Sequence, residues 1–461
     1  MWLLNAITHK LQMFGSDVPA YAILSHTWGD DEVTFQDIQD LNRARSKTSY
    51  SKIQGTCDEA LRHNISWAWI DSCCIDKTSS AELTEAINSM YSYYLLSRVC
   101  FVYLSDVPPL TYSPPMGQMP SLASSRWFTR GWTLQELIAP RRSIFYAGDW
   151  SAIGTKGMHR DERPFVKALA HITGVFESVL SKSRQPRDYS VAERMSWAST
   201  RQTTRDEDLA YCLMGLFGVH MPVLYGEGLT HAFQRLQHEI IRTSPDETIF
   251  AWRADPTQEV VDPHTGELRR RAQGSSGLLA ATPADFARSH DVHQRALHRS
   301  SPFRLFSMTN MGLSIVAELI PLASPGSPQS SPSPSRQGPQ AAQDGPRPLV
   351  VVPIGASDRP TDAAPRARLG LYLEPVLQTS SSHAGLQTLY RRVRCGEFCF
   401  APQPAGDFPR GVQTDMFILG DEQFAEMRWA DRSSTTSGAR LSVSPSASPR
   451  ASPRLGSMDL E

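Results

Sequence analysis

The regular alternation of short apolar runs with segments of helical periodicity over residues 1–150 is the feature that most constrains the fold. The runs are nearly continuous in apolar residues, as is typical of strands buried on both faces of a sheet. They cover residues 21–25, 67–71, 99–104 and 143–147. Strands that alternate with helices are joined by right-handed crossovers into a parallel sheet. The sequence therefore predicts an α/β domain with a parallel sheet over residues 1–150.

The spacing of apolar residues predicts the helices between these runs. The first helix covers residues 34–41, where every third residue from Phe35 to Leu41 is apolar. Thr34 is suited to cap the start of this helix. Three further helices are predicted over residues 50–64, 82–96 and 132–138.

The composition changes twice after the sheet domain. Residues 151–255 are dominated by helical patterns, which predict a helical extension packed against the sheet. Residues 256–320 and 349–430 are irregular and β-rich. Residues 321–348 and 433–461 are rich in Ser and Pro and lack the apolar surface that offsets the entropy cost of ordering. We predict that these last two segments are disordered.

Composition and charge exclude several functions. The 461 residues carry a formal net charge of −1, with 40% hydrophobic and 20% charged residues, as in an ordinary globular protein. A charge so close to zero argues against bulk attraction to nucleic acid or acidic membranes. No apolar run approaches the roughly 18 residues that span a bilayer, and the N-terminus lacks the features of a signal peptide. The seven Cys, an odd number at irregular spacing, indicate reduced thiols in a cytoplasmic protein.

Tryptophan and ionisable side chains occur together in three short segments, a mixture that is typical of ligand pockets. The candidate site residues in these segments are Ser25, His26, Trp28, Asp71, Cys73, Trp132 and Glu136. The first five follow the carboxyl ends of two predicted strands, where open α/β sheets bind their ligands. The last two lie one turn apart on the same face of a predicted helix. The sequence thus predicts one cleft at the carboxyl edge of the sheet.

These segments together resemble the fungal heterokaryon-incompatibility (HET) domain family. The motifs are Tyr-Ala-Ile-Leu-Ser-His-Thr-Trp-Gly at residues 21–29, Trp-Ile-Asp-Ser-Cys-Cys-Ile-Asp at residues 69–76, and Arg-Trp-Phe-Thr-Arg-Gly-Trp-Thr-Leu-Gln-Glu-Leu-Ile-Ala-Pro at residues 126–140. Residues 205–217 and 221–228 resemble the region that often follows a HET domain. The resemblance implies non-self recognition between fungal cells, with cell death as the output.

HET domains in turn resemble TIR domains, which are flavodoxin-like α/β modules. Here the resemblance includes Ser-Arg-Val-Cys-Phe-Val-Tyr-Leu-Ser at residues 97–105 and the four-residue step from Trp132 to Glu136, although Thr133 stands where TIR domains have Cys. In TIR domains that cleave NAD, the corresponding Glu is catalytic. The resemblance therefore implies that Glu136 is catalytic, that NAD is the substrate and that no cofactor is needed. It also implies a TIR/flavodoxin-like parallel sheet domain followed by a helical extension and a β-rich, partly disordered C-terminal region.

Each assignment has a structural alternative. For Glu136, the alternative to catalysis is an ion pair with Arg126 or Arg130. For His26 and Asp71, it is a hydrogen bond to each other or to the loop backbone that fixes the edge of the sheet. Both alternatives stay open at the level of the sequence.

The cysteines raise a separate possibility, a Cys73 nucleophile activated by His26. Adjacent Cys73 and Cys74 do not have the spacing of zinc ligands, and Cys395 and Cys399 form a lone pair elsewhere in the chain. We therefore predict buried structural thiols and no metal site.

Three functional hypotheses follow for a cytoplasmic HET-domain protein. The first is a cell-death effector that cleaves NAD or a related nucleotide. The second is a non-catalytic signalling module that assembles with itself or with a partner incompatibility protein, and the third is a Cys-dependent hydrolase. The sequence contains no phosphate-loop motif of the Gly-x-x-x-x-Gly-Lys-Ser/Thr type, and we expect neither a nucleic-acid nor a membrane partner.

Overall fold

The structure is a computed structural model that describes residues 1–109, 120–255, 257, 259–261, 268–270, 278–293, 306–309, 312–321, 350–357, 367–381, 385–393, 399–401 and 412–418. The segments predicted to be disordered, residues 321–348 and 433–461, lie outside the described residues except for Pro321. Among the described helices, none combines the length and the apolar character needed to cross a membrane.

A mixed sheet of seven strands, counted over the described residues, organises the first part of the chain. Its strands are β1 (Trp2–Asn5), β2 (Leu11–Met13), β3 (Ala22–His26), β4 (Trp67–Trp69), β5 (Val99–Tyr103), β6 (Ser143–Tyr146) and β7 (Ala152–Lys156). They lie in the order β2-β1-β4-β3-β5-β6-β7, and the four strands from β4 to β6 are parallel. The structure confirms the predicted α/β fold class. Strand β7 continues the sheet past residue 150, the predicted end of the domain.

The order of the parallel strands creates a binding edge. Numbered along the chain, the parallel strands lie in the order 2-1-3-4, as in flavodoxin-like sheets. The direction in which strands are added reverses at β3, which pairs with β4 on one side and β5 on the other. Ligands of open α/β sheets bind beyond the carboxyl ends of the strands at such a switch point.

Five α-helices lie among the described residues of this part of the chain. They are α1 (Leu41–Arg45), α2 (Tyr50–Arg62), α3 (Ser80–Leu96), α4 (Pro120–Ala123) and α5 (Thr133–Ile138). Helices α2, α3 and α5 agree with the predicted helices within two residues at each end. The start of α3 is fixed by Ser79, whose Oγ accepts the backbone N–H of Glu82.

The prediction of a helix over residues 34–41 is wrong. This segment forms turns, and the helix begins only at Leu41. The carboxylate of Asp37 accepts the N–H of Thr34 at 2.9 Å, and Oγ1 of Thr34 accepts the N–H of Asp37 at 3.2 Å. Such side-chain bonds to the backbone compete with helix formation. Asp40 then caps α1 by accepting two backbone N–H groups.

A helical region follows the sheet within residues 120–255, all of which the structure describes. Its helices are α6 (Arg163–Thr173), α7 (Glu177–Leu180), α8 (Val191–Ser196), α9 (Asp208–Tyr211), α10 (Met214–Phe217) and α11 (Gly228–Thr243). Residues 206–217, part of the predicted helical extension, form the two short helices α9 and α10. Aromatic side chains join this region to the sheet: Phe165 of α6 packs edge-on against Phe145 of β6, with ring centroids 5.1 Å apart.

The described residues after residue 255 are mainly extended. Their strands are β8 (Glu259–Val261), β9 (Leu268–Arg270), β10 (Val292–His293), β11 (Phe306–Thr309), β12 (Gly312–Pro321), β13 (Val350–Ser357), β14 (Ala367–Ser381), β15 (Gly385–Val393), β16 (Cys399–Ala401) and β17 (Val412–Ile418). Strands β10 to β17 form one sheet in which the β15–β17 pair is parallel and the other pairs are antiparallel. The predicted β-rich character is confirmed for these residues, while the domain boundaries stay predictions.

Replacing Gly215 by Ala should destabilise the contact between α10 and α3. A Cβ atom at residue 215 would lie only 2.1 Å from Cβ of Tyr91 on α3. Although Ala favours helices over Gly, this overpacking should lower the free energy of unfolding by about 1–3 kcal/mol. Denaturant unfolding measures the effect. Gly15→Ala is the control, because nothing lies within 4 Å of its added Cβ, and equal stability of the two variants would contradict the packing argument.

Candidate functional site

The candidate site lies where β3 ends, at the switch point of the sheet. Ser25 and His26 are the last two residues of β3, and both are buried. The loop after β3 carries Trp28, and the loop after β4 carries Asp71. Glu136 approaches from α5. The structure thus brings these five residues to one edge of the sheet.

A hydrogen bond between Ser25 and Glu136 is the central contact of the site. Oγ of Ser25 donates to Oε2 of Glu136 at 2.5 Å. The indole N–H of Trp127 donates to the same Oγ at 2.8 Å. The hydroxyl of Tyr94, which donates to the carbonyl of Leu24 at 2.9 Å, also lies beside the Glu136 carboxyl. Helix α3, strand β3 and helix α5 therefore meet at one carboxyl group.

The environment of Glu136 favours its neutral form. Burial, and then the negative charge of Asp71, raise the pKa of Glu136 to about 8, although the Ser25 and Tyr94 hydroxyls beside the carboxyl group act in the opposite direction. Only 8% of the residue is exposed. At neutral pH, most molecules therefore hold a proton on this carboxyl group.

His26 lies between two carboxylates. Its Nε2 is 3.7 Å from Oε2 of Glu32, and its Nδ1 is 3.7 Å from Oδ1 of Asp71. Both distances exceed the length of a hydrogen bond. In the part of the chain that the structure describes, neither ring nitrogen has a hydrogen-bond partner. The predicted direct hydrogen bond between His26 and Asp71 is therefore absent from the described contacts.

The charge of Glu32 is compensated inside the site. Burial alone would raise the pKa of Glu32, but His26, the ammonium of Lys52 and the backbone N–H of Gly29 lower it to about 2. Lys52 also donates to the backbone carbonyl of Thr27 at 3.1 Å. Glu32 is therefore ionised at every physiological pH, and Lys52 is its close partner.

Trp28 and Asp71 form the exposed rim of the site. The indole N–H of Trp28 donates to Oδ2 of Asp71 at 2.8 Å. Trp28 is 44% exposed, which is unusual for so large an aromatic residue. The ammonium of Lys77 lies 3.4 Å from the centroid of the Trp28 ring, so the ring face carries a cation.

The helical region contributes Arg201, which the sequence analysis did not single out. Its Nη1 donates to the carbonyl of Arg130 at 2.7 Å and to Oγ1 of Thr133 at 2.9 Å. Thr133 in turn donates to the carbonyl of Trp127 at 2.6 Å. Arg201 therefore supports the segment that carries both Trp127 and Glu136. Burial lowers the pKa of Arg201 to about 10, which leaves it charged at neutral pH.

Asp208 of α9 is a second residue that the sequence analysis missed. Its Oδ1 accepts the hydroxyl of Tyr225 at 3.0 Å, and Trp132 lies within hydrogen-bonding reach of its carboxylate. Burial raises the pKa of Asp208. Trp132 therefore contacts the helical region, while Glu136, one turn later, faces Ser25. Asp208 lies within a motif at residues 205–217 that was noted only as a family resemblance, and Arg201 lies just before it.

Two buried lysines hold the end of α5. The Nζ of Lys156 donates to the carbonyl of Pro140 at 2.8 Å, and that of Lys182 donates to the carbonyls of Ile138 and Ala139. Donors at the C-terminus of a helix satisfy its free carbonyl groups, and burial lowers the pKa of Lys156 well below its usual value, which favours the neutral amine. The short helix that carries Glu136 is thus fixed at both ends.

The predicted ion-pair alternatives for Glu136 are not among the described contacts. Nε of Arg126 lies 3.8 Å from Oδ2 of Asp106, and Nη2 of Arg130 donates to Oγ1 of Thr204 at 2.9 Å. Neither arginine contacts the Glu136 carboxyl, whose nearest described donor is Ser25.

Cys73 does not reach the site surface. It is fully buried, and the neighbouring Cys74 thiol and burial raise its pKa well above its usual value. A nucleophilic cysteine needs the opposite, a lowered pKa and access to substrate. Cys74 is also buried, Cys399 lies in β16, and Cys395 is outside the described residues.

Comparisons with known proteins show which families parts of the chain resemble. Residues 21–121 match the family model described as "Heterokaryon incompatibility protein (HET)", and residues 231–343 match a domain of unknown function (DUF8212). Residues 21–121 are therefore similar to HET domains. Ser25, His26, Trp28, Asp71 and Cys73 fall within the matched HET region. Trp132 and Glu136 lie beyond it, and the roles of all seven residues stay predictions.

One curated relative is similar over about half of the chain. Over 229 residues, which are 48% of this chain, the sequence is 44% identical to "Vegetative incompatibility protein HET-E-1" of Podospora anserina. The matched part spans only 16% of the length of that relative. No solved structure matches the chain.

Replacing Glu136 by Gln should remove a pH-dependent loss of stability. Between its usual pKa of 4.5 and about 8, Glu136 keeps its proton in the folded protein and loses it on unfolding. Because the unfolded chain binds fewer protons in this window, stability falls as pH rises, by up to ~1.4 kcal/mol per pH unit from this group. Denaturant unfolding at pH 5, 6, 7 and 8 should show wild type losing stability relative to the variant. Parallel curves would contradict a raised pKa for Glu136.

Proposed function

We propose that this protein is a cell-death effector of vegetative incompatibility whose HET domain cleaves NAD or a related nucleotide, with Glu136 as the catalytic residue. The role in incompatibility is supported by the name of the relative that shares 44% identity with this chain. The chemistry is supported by one observation above the others. A buried carboxyl with a pKa of about 8 lies at the switch point of a flavodoxin-like sheet.

The proposed reaction breaks the bond between nicotinamide and ribose. The bonding electron pair moves to the ring nitrogen, which neutralises the nicotinamide, and positive charge develops on the ribose. Water then adds to the ribose carbon and releases one proton, giving ADP-ribose. A carboxylate beside the ribose stabilises the developing charge, as carboxylates do in glycoside cleavage.

The geometry around Glu136 suits this role. In its ionised form the carboxylate accepts the hydrogen bond of Ser25, which fixes its direction. The nicotinamide ring of NAD is a cation, so its arrival favours the ionised carboxylate and lowers the pKa of Glu136. We assign a positioning role to His26, which lies at this edge of the sheet, and to Trp132, which contacts Asp208 of the helical region one turn before Glu136.

Assembly is the second candidate function, and burial favours it. Ser25 is completely buried and Glu136 is nearly so. A carboxyl that is already satisfied inside the protein serves a non-catalytic signalling module equally well, as a structural link between β3 and α5. Such a module would act in the cytoplasm by association with itself or with a partner incompatibility protein. The third candidate, a Cys-dependent hydrolase, is disfavoured by the burial of Cys73.

Replacing Glu136 by Gln should reduce nicotinamide release from NAD by about 10²–10³-fold, the usual effect of removing one electrostatic stabiliser. Purified full-length protein is incubated with NAD, and nicotinamide is followed by chromatography. Glu85→Gln is the matched control, because Glu85 is exposed on α3, and it should keep full activity. Cys73→Ser should also keep it, since no thiol takes part.

The same variants expressed in fungal cells separate the candidates. If wild type arrests growth while cellular NAD stays constant, and Glu136→Gln arrests growth equally, the cleavage proposal fails and the assembly module replaces it. If Cys73→Ser alone abolishes arrest and the protein stays folded, both leading proposals fail.

The pH dependence of kcat/KM should report the ionisation of Glu136 in the free protein. If the carboxylate is the active form, kcat/KM should rise about tenfold per pH unit below the pKa of about 8 and level off above it. Rates of nicotinamide release between pH 6 and pH 9 test this. A flat profile over that range would contradict the prediction, because catalysis would then not depend on the ionisation of Glu136.

A further inference from the structure

We infer that the face of the Trp28 ring that Lys77 contacts binds a planar cationic ring of the pyridinium class. In the unliganded protein, Lys77 covers this face. The inference rests on the proposed function, because the nicotinamide ring of NAD belongs to this class. It adds the position of the ring and a residue that competes for that position.

The Trp28 ring is held as a fixed platform. Its indole N–H donates to Asp71 at 2.8 Å, which sets the ring orientation. The residue is 44% exposed, so a ligand can reach Trp28 without rearrangement of the core. The ammonium of Lys77 lies 3.4 Å from the ring centroid, well within the range of a cation–π contact. The protein therefore already binds a cation at this face.

The surrounding charges also favour a cation. Lys77 lies within electrostatic range of the carboxylates of Asp71, Glu32 and Asp208. Glu32 has Lys52 as its own ion-pair partner. Asp71 and Asp208 are therefore the charges that draw a cation to the Trp28 face.

Buried polar groups behind the platform point to a ligand as well. The side chain of His26 is only 1% exposed, and neither ring nitrogen makes a hydrogen bond to another described residue. Its Nδ1 lies 3.7 Å from the carboxylate that orients Trp28. Buried polar groups are normally satisfied, so a ligand with polar substituents on its ring would complete this side of the site.

A planar ring fits the Trp28 face better than the ammonium of lysine does. Stacking buries apolar area on both partners, and a delocalised cation is more weakly hydrated than a compact ammonium group. A pyridinium ring can therefore displace Lys77, whose long side chain is exposed and can turn into solvent. A neutral ring of the same shape gains the stacking contact but loses the attraction to Asp71 and Asp208.

Binding of 1-methylnicotinamide, a cation, and nicotinamide, its neutral counterpart, to the full-length protein tests this by calorimetry. The cation should bind about 2- to 30-fold more tightly, which is the range of a cation–π contribution. Lys77→Met should tighten binding of the cation several-fold, because no internal cation has to leave. Lys77→Arg should not tighten it, and Lys167→Met, a change at an exposed lysine of α6, should have no effect.

The platform itself is tested by two substitutions of Trp28. Trp28→Leu should remove the preference for the cation, whereas Trp28→Phe, which keeps an aromatic face, should retain part of it. Thermal unfolding verifies that both variants are folded. Equal binding of the two ligands by wild type, or a preference that survives Trp28→Leu, would overturn the inference.

Nicotinamide release from NAD by the same variants separates this inference from the proposed function. If wild type binds the cation through Trp28 but releases no nicotinamide, the binding face stands and the cleavage proposal fails. If wild type cleaves NAD and Trp28→Leu cleaves it with unchanged KM, cleavage stands and the binding face is refuted.

Discussion

The hydrogen bond between Ser25 and Glu136 is the contact on which the candidate site depends, because it joins β3 to α5 across 111 residues of sequence. Trp127 donates to the same hydroxyl and thereby orients its proton toward the carboxyl group. A buried carboxyl without such a donor would carry an unsatisfied group that costs about 1–3 kcal/mol. The bond therefore holds the end of the central strand and the short helix in one arrangement.

That arrangement also depends on the helical region. Arg201 donates to Thr133 and to the carbonyl of Arg130, while Lys156 and Lys182 hold the other end of α5. Helix α5 has six residues, too few to be stable alone. Its position therefore comes from tertiary contacts, and the site extends well beyond the residues that match the HET family.

Two carboxyl groups at this edge of the sheet, those of Glu32 and Glu136, have opposite environments. Glu32 is ionised because Lys52 and His26 lower its pKa to about 2. Glu136 keeps its proton because burial and the charge of Asp71 raise its pKa to about 8. Carboxyl groups whose environments move their pKa values apart are typical of sites that divide acid and base roles. The same separation suits a site that receives a cation, since an arriving positive charge favours ionisation of Glu136.

The sequence by itself determined the α/β class, because apolar runs typical of buried strands alternate with segments of helical periodicity. The ends of the predicted strands also placed Ser25, His26 and Asp71 at one edge of the sheet. The apolar spacing at residues 34–41 predicted a helix that does not form, because hydrogen bonds between Thr34 and Asp37 compete with the helical backbone. Only the tertiary structure brought Arg201 to the site, whereas the burial of Cys73 agrees with the buried thiols that the sequence predicted. Long-range contacts, burial and pKa depend on which distant segments meet, and no local pattern encodes that.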